Sequence, residues 1–318
     1  MTDITVKVLR RTQEAQDIAS FELVRPDGGP LPAFGAGSHI DVHVPGGPIR
    51  QYSLCNDDGE QHRYRIAVLR DAASRGGSAG LHERVREGDV LTISEPRNHF
   101  PLVHVRRTVL LAGGIGITPL LCMAQRLAAI GADFTLHYCT RSAARTAFRE
   151  EILRSPFADR VQFHFDDGGP AQKLDLAAAL GPQDADTHLY VCGPMGFIDF
   201  AVQGARAAGF GPEQIHLEYF GAAPKAAEGD GAFDVRIASS GQLVTVPADK
   251  TVVQALAAAG VEILTSCEQG VCGTCLTRVL EGECEHRDLY LTDEEKARND
   301  QFTPCCSRAR SPLLVLDL

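Results

Sequence analysis

Hydrophobic and polar residues alternate over short runs in the first hundred residues, and Gly, Pro and Asp residues separate the runs. Alternation with a period of two places apolar side chains on one face of a β-strand. Several short strands at this spacing predict an antiparallel β-barrel, which we expect over residues 1–103. The predicted strands are 4–9, 18–24, 39–44, 50–54, 64–69 and 90–94.

The pattern changes near residue 104, where apolar strands begin to alternate with helical segments. This alternation predicts a doubly wound α/β domain with a parallel sheet over residues 104–220. The predicted strands are 108–112, 134–139, 161–165 and 188–192, and the predicted helices include 119–130 and 194–208. Ligands of such domains bind at the carboxyl edge of the sheet.

A third domain is expected over residues 232–318, after a linker at 221–231 that is rich in Gly and Ala and lacks apolar periodicity. Two strand-like runs, 233–238 and 242–246, are joined by three residues and followed by a predicted helix at 252–259. This order indicates a hairpin with a helix packed on its sheet, an α+β, β-grasp-like arrangement.

The length of the chain agrees with a multidomain protein, and its net charge limits the classes of partner that it can bind. The chain has 318 residues and a net charge of -10. Single cores stop growing near about 250–300 residues, and an acidic surface disfavours nucleic acid or anionic membranes as partners. Residues 1–10 contain no apolar stretch, and Pro119 and three glycines interrupt the longest apolar run, 109–124. We therefore expect a cytoplasmic protein that is neither exported nor membrane-spanning.

Six of the ten cysteines lie in the last 52 residues. Cys267, Cys272 and Cys275 have the spacing C-x4-C-x2-C, and Cys305 follows after 29 residues. This is the plant-type arrangement for a 2Fe-2S cluster, whereas zinc sites usually carry two C-x2-C pairs or cysteine with histidine. The spacing therefore predicts a 2Fe-2S cluster with Cys267, Cys272 and Cys275 as three of its metal ligands and Cys305 as a candidate for the fourth. Cys55, Cys122 and Cys139 lie in apolar surroundings and are expected to be buried free thiols.

The spacing leaves the fourth ligand open, because Cys306 adjoins Cys305 and Cys284 lies between the triplet and the end of the chain. Gly270 and Gly273 lie within the cysteine loop. Glycines there allow backbone N–H groups to approach the cluster sulfurs.

Two segments of the first domain suit a flavin. In the run Arg50, Gln51, Tyr52 and Ser53, Arg50 and Tyr52 share one face of a strand. A guanidinium there can bind a phosphate, and an aromatic ring can lie against an isoalloxazine. A second segment, Gly76, Gly77 and Ser78, precedes a helical stretch. It is a candidate phosphate site or, alternatively, a plain helix cap.

Two glycine-containing loops of the second domain suit a nicotinamide cofactor. One follows the first parallel strand and contains Gly113, Gly114, Gly116, Thr118 and Pro119; the other follows a later strand and contains Cys192, Gly193 and Pro194. Glycines let the backbone approach a pyrophosphate, and both loops are predicted at the same edge of the sheet. The first loop differs from G-x-G-x-x-G, and a tight turn without a ligand is the alternative.

Four of these motifs occur in an order that resembles the phthalate dioxygenase reductase family, within the ferredoxin reductase superfamily, over essentially the whole chain: 50–53, 113–119, 192–194 and the C-terminal cysteines. The resemblance implies FMN, NADH as electron donor, and delivery of electrons through the 2Fe-2S cluster to a Rieske-type terminal oxygenase. Related reductases serve vanillate demethylases and phenoxybenzoate dioxygenases. The resemblance also implies Cys305 as the fourth ligand and places Phe220 near the flavin. Hydride transfer needs no protein acid or base, so no catalytic residue is predicted.

Three other functions remain open from the sequence: a reductase for a cytochrome P450, a self-contained flavoenzyme, and a redox-sensing iron–sulfur module. Arg141 and Arg145 could meet the 2′-phosphate of NADPH, so the donor also stays open. Eight of the twenty residues 281–300 are acidic. We expect this segment to dock electrostatically on the electron acceptor, and a solvated helical face is the alternative.

Overall fold

The computed structural model describes residues 3–72, 74, 76–220, 230–265, 270 and 273–318. The chain divides into two compact units, Met1–Phe220 and Gly221–Leu318. The predicted linker at 221–231 lies mostly outside the described residues, as do Cys267 and Cys272. Within the described part of the chain, no helix has the length and apolar character needed to cross a bilayer.

The N-terminal part of the first unit is an antiparallel sheet with strand order β4-β3-β6-β1-β2-β5 and with β7 paired to β3. An antiparallel bridge between Leu54, just after β4, and Ile66 of β5 closes this path into a barrel. Its elements are β1 Asp3–Ala15, β2 Ile18–Val24, β3 Ser38–His43, β4 Ile49–Ser53, β5 Tyr64–Leu69, α1 Ser78–Arg84, β6 Val90–Ser94 and β7 Arg97–Asn98. The predicted barrel is confirmed.

Alternation sets the barrel core. Ile4, Val6 and Val8 of β1 are buried, and the residues between them are exposed. β1 continues to Ala15, beyond the predicted end at residue 9, because its second half forms a hairpin with β2 and Ala15 pairs with Ile18. This half is mostly polar, so the hydrophobic pattern did not show it.

The C-terminal part of the first unit is a parallel five-stranded sheet with the order β10-β9-β8-β11-β12. Helices lie between the strands, as predicted for a doubly wound domain. The elements are β8 Arg107–Gly113, α2 Ile117–Ala129, β9 Asp133–Thr140, α3 Arg149–Leu153, β10 Val161–Phe165, α4 Leu176–Leu180, β11 Thr187–Gly193, α5 Met195–Ala207 and β12 Ile215–Tyr219. The strand order reverses between β8 and β11, where such sheets bind ligands.

The loops after β8 and β11 touch through their backbones. A Cβ atom on Gly116 would lie 2.2 Å from the carbonyl oxygen of Cys192, and one on Gly193 would lie 2.9 Å from Cα of Gly113. Real Cβ atoms do not approach backbone this closely, so these glycines are required for the two strand ends to meet.

An ion pair between the buried Arg65 and the exposed Glu151 joins the barrel to the α/β part of the first unit. Arg65 of β5 donates to both carboxylate oxygens of Glu151 of α3, at 2.7 Å each, and its guanidinium lies 4.9 Å from the ring centroid of Phe148. Bidentate arginine–carboxylate contacts also fix geometry, so this pair sets how β5 meets α3.

The second unit contains a five-stranded mixed sheet with the order β14-β13-β19-β15-β17 and a small β16–β18 pair. β13 and β14 form the predicted hairpin, and the helix after it packs against the sheet. The elements are β13 Phe233–Ile237, β14 Leu243–Val246, α6 Val252–Ala258, β15 Thr277–Glu281, β16 Cys284–Glu285, α7 Asp293–Arg298, β17 Gln301–Phe302, β18 Arg308–Ala309 and β19 Leu313–Leu316.

We expect Gly116→Ala to lower the free energy of unfolding by about 1–3 kcal/mol, because the new methyl group overlaps the Cys192 carbonyl. Gly196→Ala in α5 is the matched control. No atom lies within 4 Å of its Cβ position, so alanine should be neutral or stabilising. Thermal unfolding of both variants measures the difference. Equal melting temperatures would show that the close contact of the two loops is not needed for stability.

Candidate functional site

The two flavin motifs lie side by side in the barrel. Arg50 of β4 packs against the turn before α1, because a Cβ on Gly77 would lie 2.9 Å from Cγ of Arg50. Gly76 has φ +93°, a conformation that favours glycine. Ser78 does not cap the helix: Gly77 is the N-cap and has no side chain, and the Ser78 hydroxyl accepts a hydrogen bond from the Asp71 amide. The structure thus brings a guanidinium next to a glycine turn.

The remaining residues of the β4 motif face different surroundings. Arg50 and Tyr52 pair with Val42 and Ile40 of β3 and share one face of the strand, as predicted. Nε2 of Gln51 lies 3.2 Å from Nε2 of His39. Ser53, at the end of β4, is buried.

The two candidate nicotinamide loops meet at the carboxyl edge of the parallel sheet, where β8 and β11 are neighbours. Gly114 has φ +55°, and no atom lies within 4 Å of its Cβ position, so its backbone borders open space. Pro194 is exposed. Thr118 and Pro119 are instead buried in the first turn of α2, and the Thr118 hydroxyl donates to the Ile115 carbonyl at 3.2 Å. The open surface therefore belongs to Gly114 and Pro194, whereas Gly113, Gly116 and Gly193 are buried between the two loops.

The helix after β8 begins at Ile117, two residues before the predicted start. Gly116 is its N-cap, and Pro119 occupies the first turn, where an amide hydrogen is not needed for the helix.

A partly buried contact joins the flavin motif to the end of the parallel sheet. The Ser53 hydroxyl donates to Oε2 of Glu218 at 3.1 Å, and Glu218 pairs with Cys192 in the β11–β12 register. Burial raises the pKa of Glu218 to about 8. Burial, and secondarily the Glu218 carboxyl, also raise the pKa of Cys192 well above its usual range. Both groups therefore stay protonated at neutral pH.

Sequence reasoning did not identify Glu218. The signal was an acidic residue next to Leu217 and Tyr219, two residues before the aromatic candidate Phe220. Phe220 itself follows β12 and is 39% exposed, so its ring is accessible at this edge of the first unit.

In the second unit, Cys275, Cys305 and Cys306 form one buried group that packs against Val253 and Ile263. Cys267 and Cys272 lie outside the described residues. Thiolate sulfurs in a dry, apolar pocket suit an iron–sulfur cluster, so the described residues fit the predicted group.

The thiol of Cys306 has protein partners of its own. Its sulfur lies 3.2 Å from the Thr303 hydroxyl and 3.8 Å from the Ser307 hydroxyl. A hydrogen bond with the Cys305 side chain lowers the pKa of Cys306. Cys284 lies apart from this group, in the apolar core beneath the sheet, where burial raises its pKa to about 12. Cys284 is therefore a core residue.

Comparison with known proteins identifies the family of this chain. Residues 235–310 match the model of the 2Fe-2S iron-sulfur cluster binding domain. A vanillate O-demethylase oxidoreductase from Pseudomonas sp. (strain HR199 / DSM 7063) is 57% identical over 319 residues, which is 100% of both chains. The solved structure of a phthalate dioxygenase reductase superposes with a TM-score of 0.80 at 41% identity and covers 99% of this chain and 98% of its own.

The chain belongs to the phthalate dioxygenase reductase family. Like other members of this family it is an oxidoreductase of the flavin and 2Fe-2S type. An intact type IV self-sufficient cytochrome P450 monooxygenase is also similar, with a TM-score of 0.82 and 38% identity, and this chain covers 41% of that longer chain. The same reductase architecture therefore also occurs fused to a haem oxygenase.

We expect the purified family member to contain about two irons per chain, bound as one cluster. Cys305→Ser should abolish the visible absorption of the cluster, whereas Cys306→Ser should retain it, because the Cys306 sulfur already bonds Thr303 and Ser307. Iron analysis and EPR spectroscopy measure the effect. One zinc per chain, or cluster loss only in Cys306→Ser, would contradict the ligand assignment.

Glu218 should make stability depend on pH. The folded chain keeps a proton on Glu218 up to about pH 8, whereas an unfolded glutamate releases it near 4.5, so stability should fall as pH rises between these values. In Glu218→Gln this proton is absent, and the variant should gain stability relative to the wild type on going from about pH 5 to about pH 8.5. Thermal unfolding at both pH values tests this, with Glu213→Gln, at an exposed site, as control. Parallel pH profiles for wild type and Glu218→Gln would refute it.

Proposed function

We propose that this chain is the NADH-dependent reductase component of a two-component Rieske non-haem iron oxygenase. It would take electrons from NADH through FMN and the 2Fe-2S cluster to the terminal oxygenase. The observation that carries this proposal is the combination, in one chain, of a glycine-lined sheet edge, the Arg50 barrel site and the 2Fe-2S domain, over the full length of an oxygenase reductase.

Arg50, Tyr52 and the turn at Gly76–Ser78 are the proposed flavin residues. The guanidinium of Arg50 lies against Gly77, and Nη2 of Arg84 donates to the Gly76 carbonyl at 3.2 Å, so a phosphate placed at this turn would meet two cations. We assign this turn to the single terminal phosphate of FMN, because guanidinium groups bind phosphate through charge-assisted hydrogen bonds. When bound, the flavin converts a two-electron hydride donor into a source of single electrons.

The loops Gly113–Gly116 and Cys192–Pro194 are the proposed pyrophosphate and nicotinamide residues. Their mutual contact leaves the backbone of Gly114 open toward a ligand. The protonated Glu218 and the un-ionised Cys192 thiol place no negative charge at the junction with Ser53. A junction without charge suits hydride transfer, because it places no fixed anion next to the reacting ring.

The substrate of the partner oxygenase is proposed from the relatives. The relative at 57% identity is a vanillate O-demethylase oxidoreductase, which makes a demethylase of methoxylated aromatic acids the leading acceptor. The likeness to a self-sufficient cytochrome P450 favours a haem oxygenase as the second candidate.

Reconstitution separates these candidates. The chain is mixed with NADH, vanillate and the Rieske component of a vanillate demethylase, and NADH oxidation and formaldehyde release are followed. We expect coupled turnover that requires both proteins, with a higher kcat/KM for NADH than for NADPH. Coupling only to a cytochrome P450, or turnover of an aromatic substrate without any partner, would overturn the proposal.

Arg50→Ala should release the flavin, because alanine offers no charged group to the phosphate. A lysine would make a single contact in place of the bidentate contact of the guanidinium. We expect flavin retention after gel filtration to fall at least about tenfold, while Arg50→Lys retains an intermediate amount. The released cofactor, identified by chromatography, should be FMN. Release of FAD, or full retention in Arg50→Ala, would contradict this site.

Transfer to the oxygenase should slow as salt rises, because the acidic segment around α7 steers a basic partner over a Debye length of about 8 Å at physiological ionic strength. Glu294→Lys should reduce the rate of electron transfer to the oxygenase and the dependence of that rate on salt. Asp249→Lys makes the same charge change at an exposed turn of the same unit, and it should reduce both quantities less. Glu295 is unsuitable for this test because it caps α7 through Thr292. Stopped-flow rates that are flat with salt would exclude steering.

A further inference from the structure

The turn between β16 and α7 lies directly on the cysteine loop. The amide of Leu289 donates to the Gly270 carbonyl at 3.0 Å. A Cβ on Gly273 would lie 2.3 Å from Cζ of Tyr290, so the tyrosine ring covers the backbone two residues before Cys275. The turn therefore packs against Gly270 and Gly273, the described glycines of the cysteine loop.

This turn presents apolar side chains outward while its neighbours hold it in place. Leu289 is 42% exposed and Tyr290 38% exposed, whereas Leu291 is buried. The buried carboxylate of Asp288 accepts from the Leu291 amide at 2.7 Å, and its backbone carbonyl accepts from Nζ of Lys296 at 2.8 Å. The exposure of Leu289 and Tyr290 is thus built into a hydrogen-bonded turn.

Acidic residues border the apolar pair. Asp293 and Glu294 are exposed in the first turn of α7, and Glu295 follows in the same turn, where its carboxylate accepts from the N-cap residue Thr292. Lys296 is drawn back toward Asp288 by its hydrogen bond. An apolar, aromatic centre with a charged rim is the anatomy of protein interfaces, and a small one suits transient electron-transfer partners.

We propose that Leu289 and Tyr290 are the apolar centre of the docking surface for electron-acceptor proteins, and that the acceptor carries an apolar patch ringed by Lys and Arg. Complementarity with the acidic rim selects this partner chemistry. The proposal rests on the proposed function and adds the contact residues through which the acceptor reaches the cluster. In the step itself one electron leaves the reduced cluster and converts one ferric acceptor iron to ferrous, with no proton or bond exchanged.

Cytochrome c is the probe, because it is a basic protein with an apolar haem edge and accepts one electron. The holoenzyme is assayed with saturating NADH and varied cytochrome c. Leu289→Gln should raise the KM for cytochrome c about fivefold to tenfold, the effect of removing one apolar contact, and Tyr290→Gln should do the same. Leu243→Gln is the control, since Leu243 is 59% exposed on β14, at the sheet edge opposite to β17, against which α7 packs.

Measurements on the 2Fe-2S cluster distinguish weaker docking of cytochrome c from a disturbed cluster. The EPR spectrum and the rate at which NADH bleaches the cluster should be unchanged in Leu289→Gln, whose side chain has no buried role. Tyr290→Phe keeps the ring over Gly273 and should keep the wild-type KM. An unchanged KM in Leu289→Gln, or an equal rise in Leu243→Gln, overturns the proposal.

The same assay also separates this surface from the proposed function. A wild-type chain that reduces cytochrome c but no Rieske oxygenase would overturn the proposed function. In that case a Leu289 effect on cytochrome c still supports the surface.

Discussion

The first unit depends on a backbone contact between two strand ends. The loops after β8 and β11 touch with glycine against glycine, and a single methyl group on Gly116 would overlap the Cys192 carbonyl. This contact places two open loops at the point where the strand order of the parallel sheet reverses. β12 lies beside β11 at that point, so Cys192 is paired with Glu218 of β12. Glu218 in turn accepts a hydrogen bond from Ser53 of the barrel.

The junction between barrel and parallel sheet combines two kinds of polar contact. The Arg65–Glu151 pair is charged, bidentate and distant from the glycine loops in sequence, and it holds β5 against α3. The Ser53–Glu218 pair is protonated at neutral pH because burial raises the pKa of the carboxyl to about 8. A charged pair thus fixes the geometry, while the pair nearest the candidate flavin motif adds no fixed negative charge.

The second unit shows why glycines belong in the cysteine loop. From the sequence, Gly270 and Gly273 were expected to let amides approach sulfur. In the structure both have positive φ, and both also lie under the following turn: Gly270 against Asp288 and the Cys306 sulfur, Gly273 against the ring of Tyr290. The turn that closes over the loop is the same one that presents Leu289 and Tyr290, so cysteine loop and outer surface are parts of one packed structure.

The sequence by itself determined the three sheets, the order of the cofactor motifs and the cysteine spacing. These signals are local: alternation, glycine before a helix, and ligands at fixed separations. It also predicted a 2Fe-2S domain, which the family model matches at 235–310. It did not reveal the polar second half of β1, the Ser53–Glu218 contact across 165 residues, or the Cys306 partners. Those features arise from strand pairing, burial and side chains brought together from distant segments, and only the tertiary structure decides which polar groups lose their water and find each other.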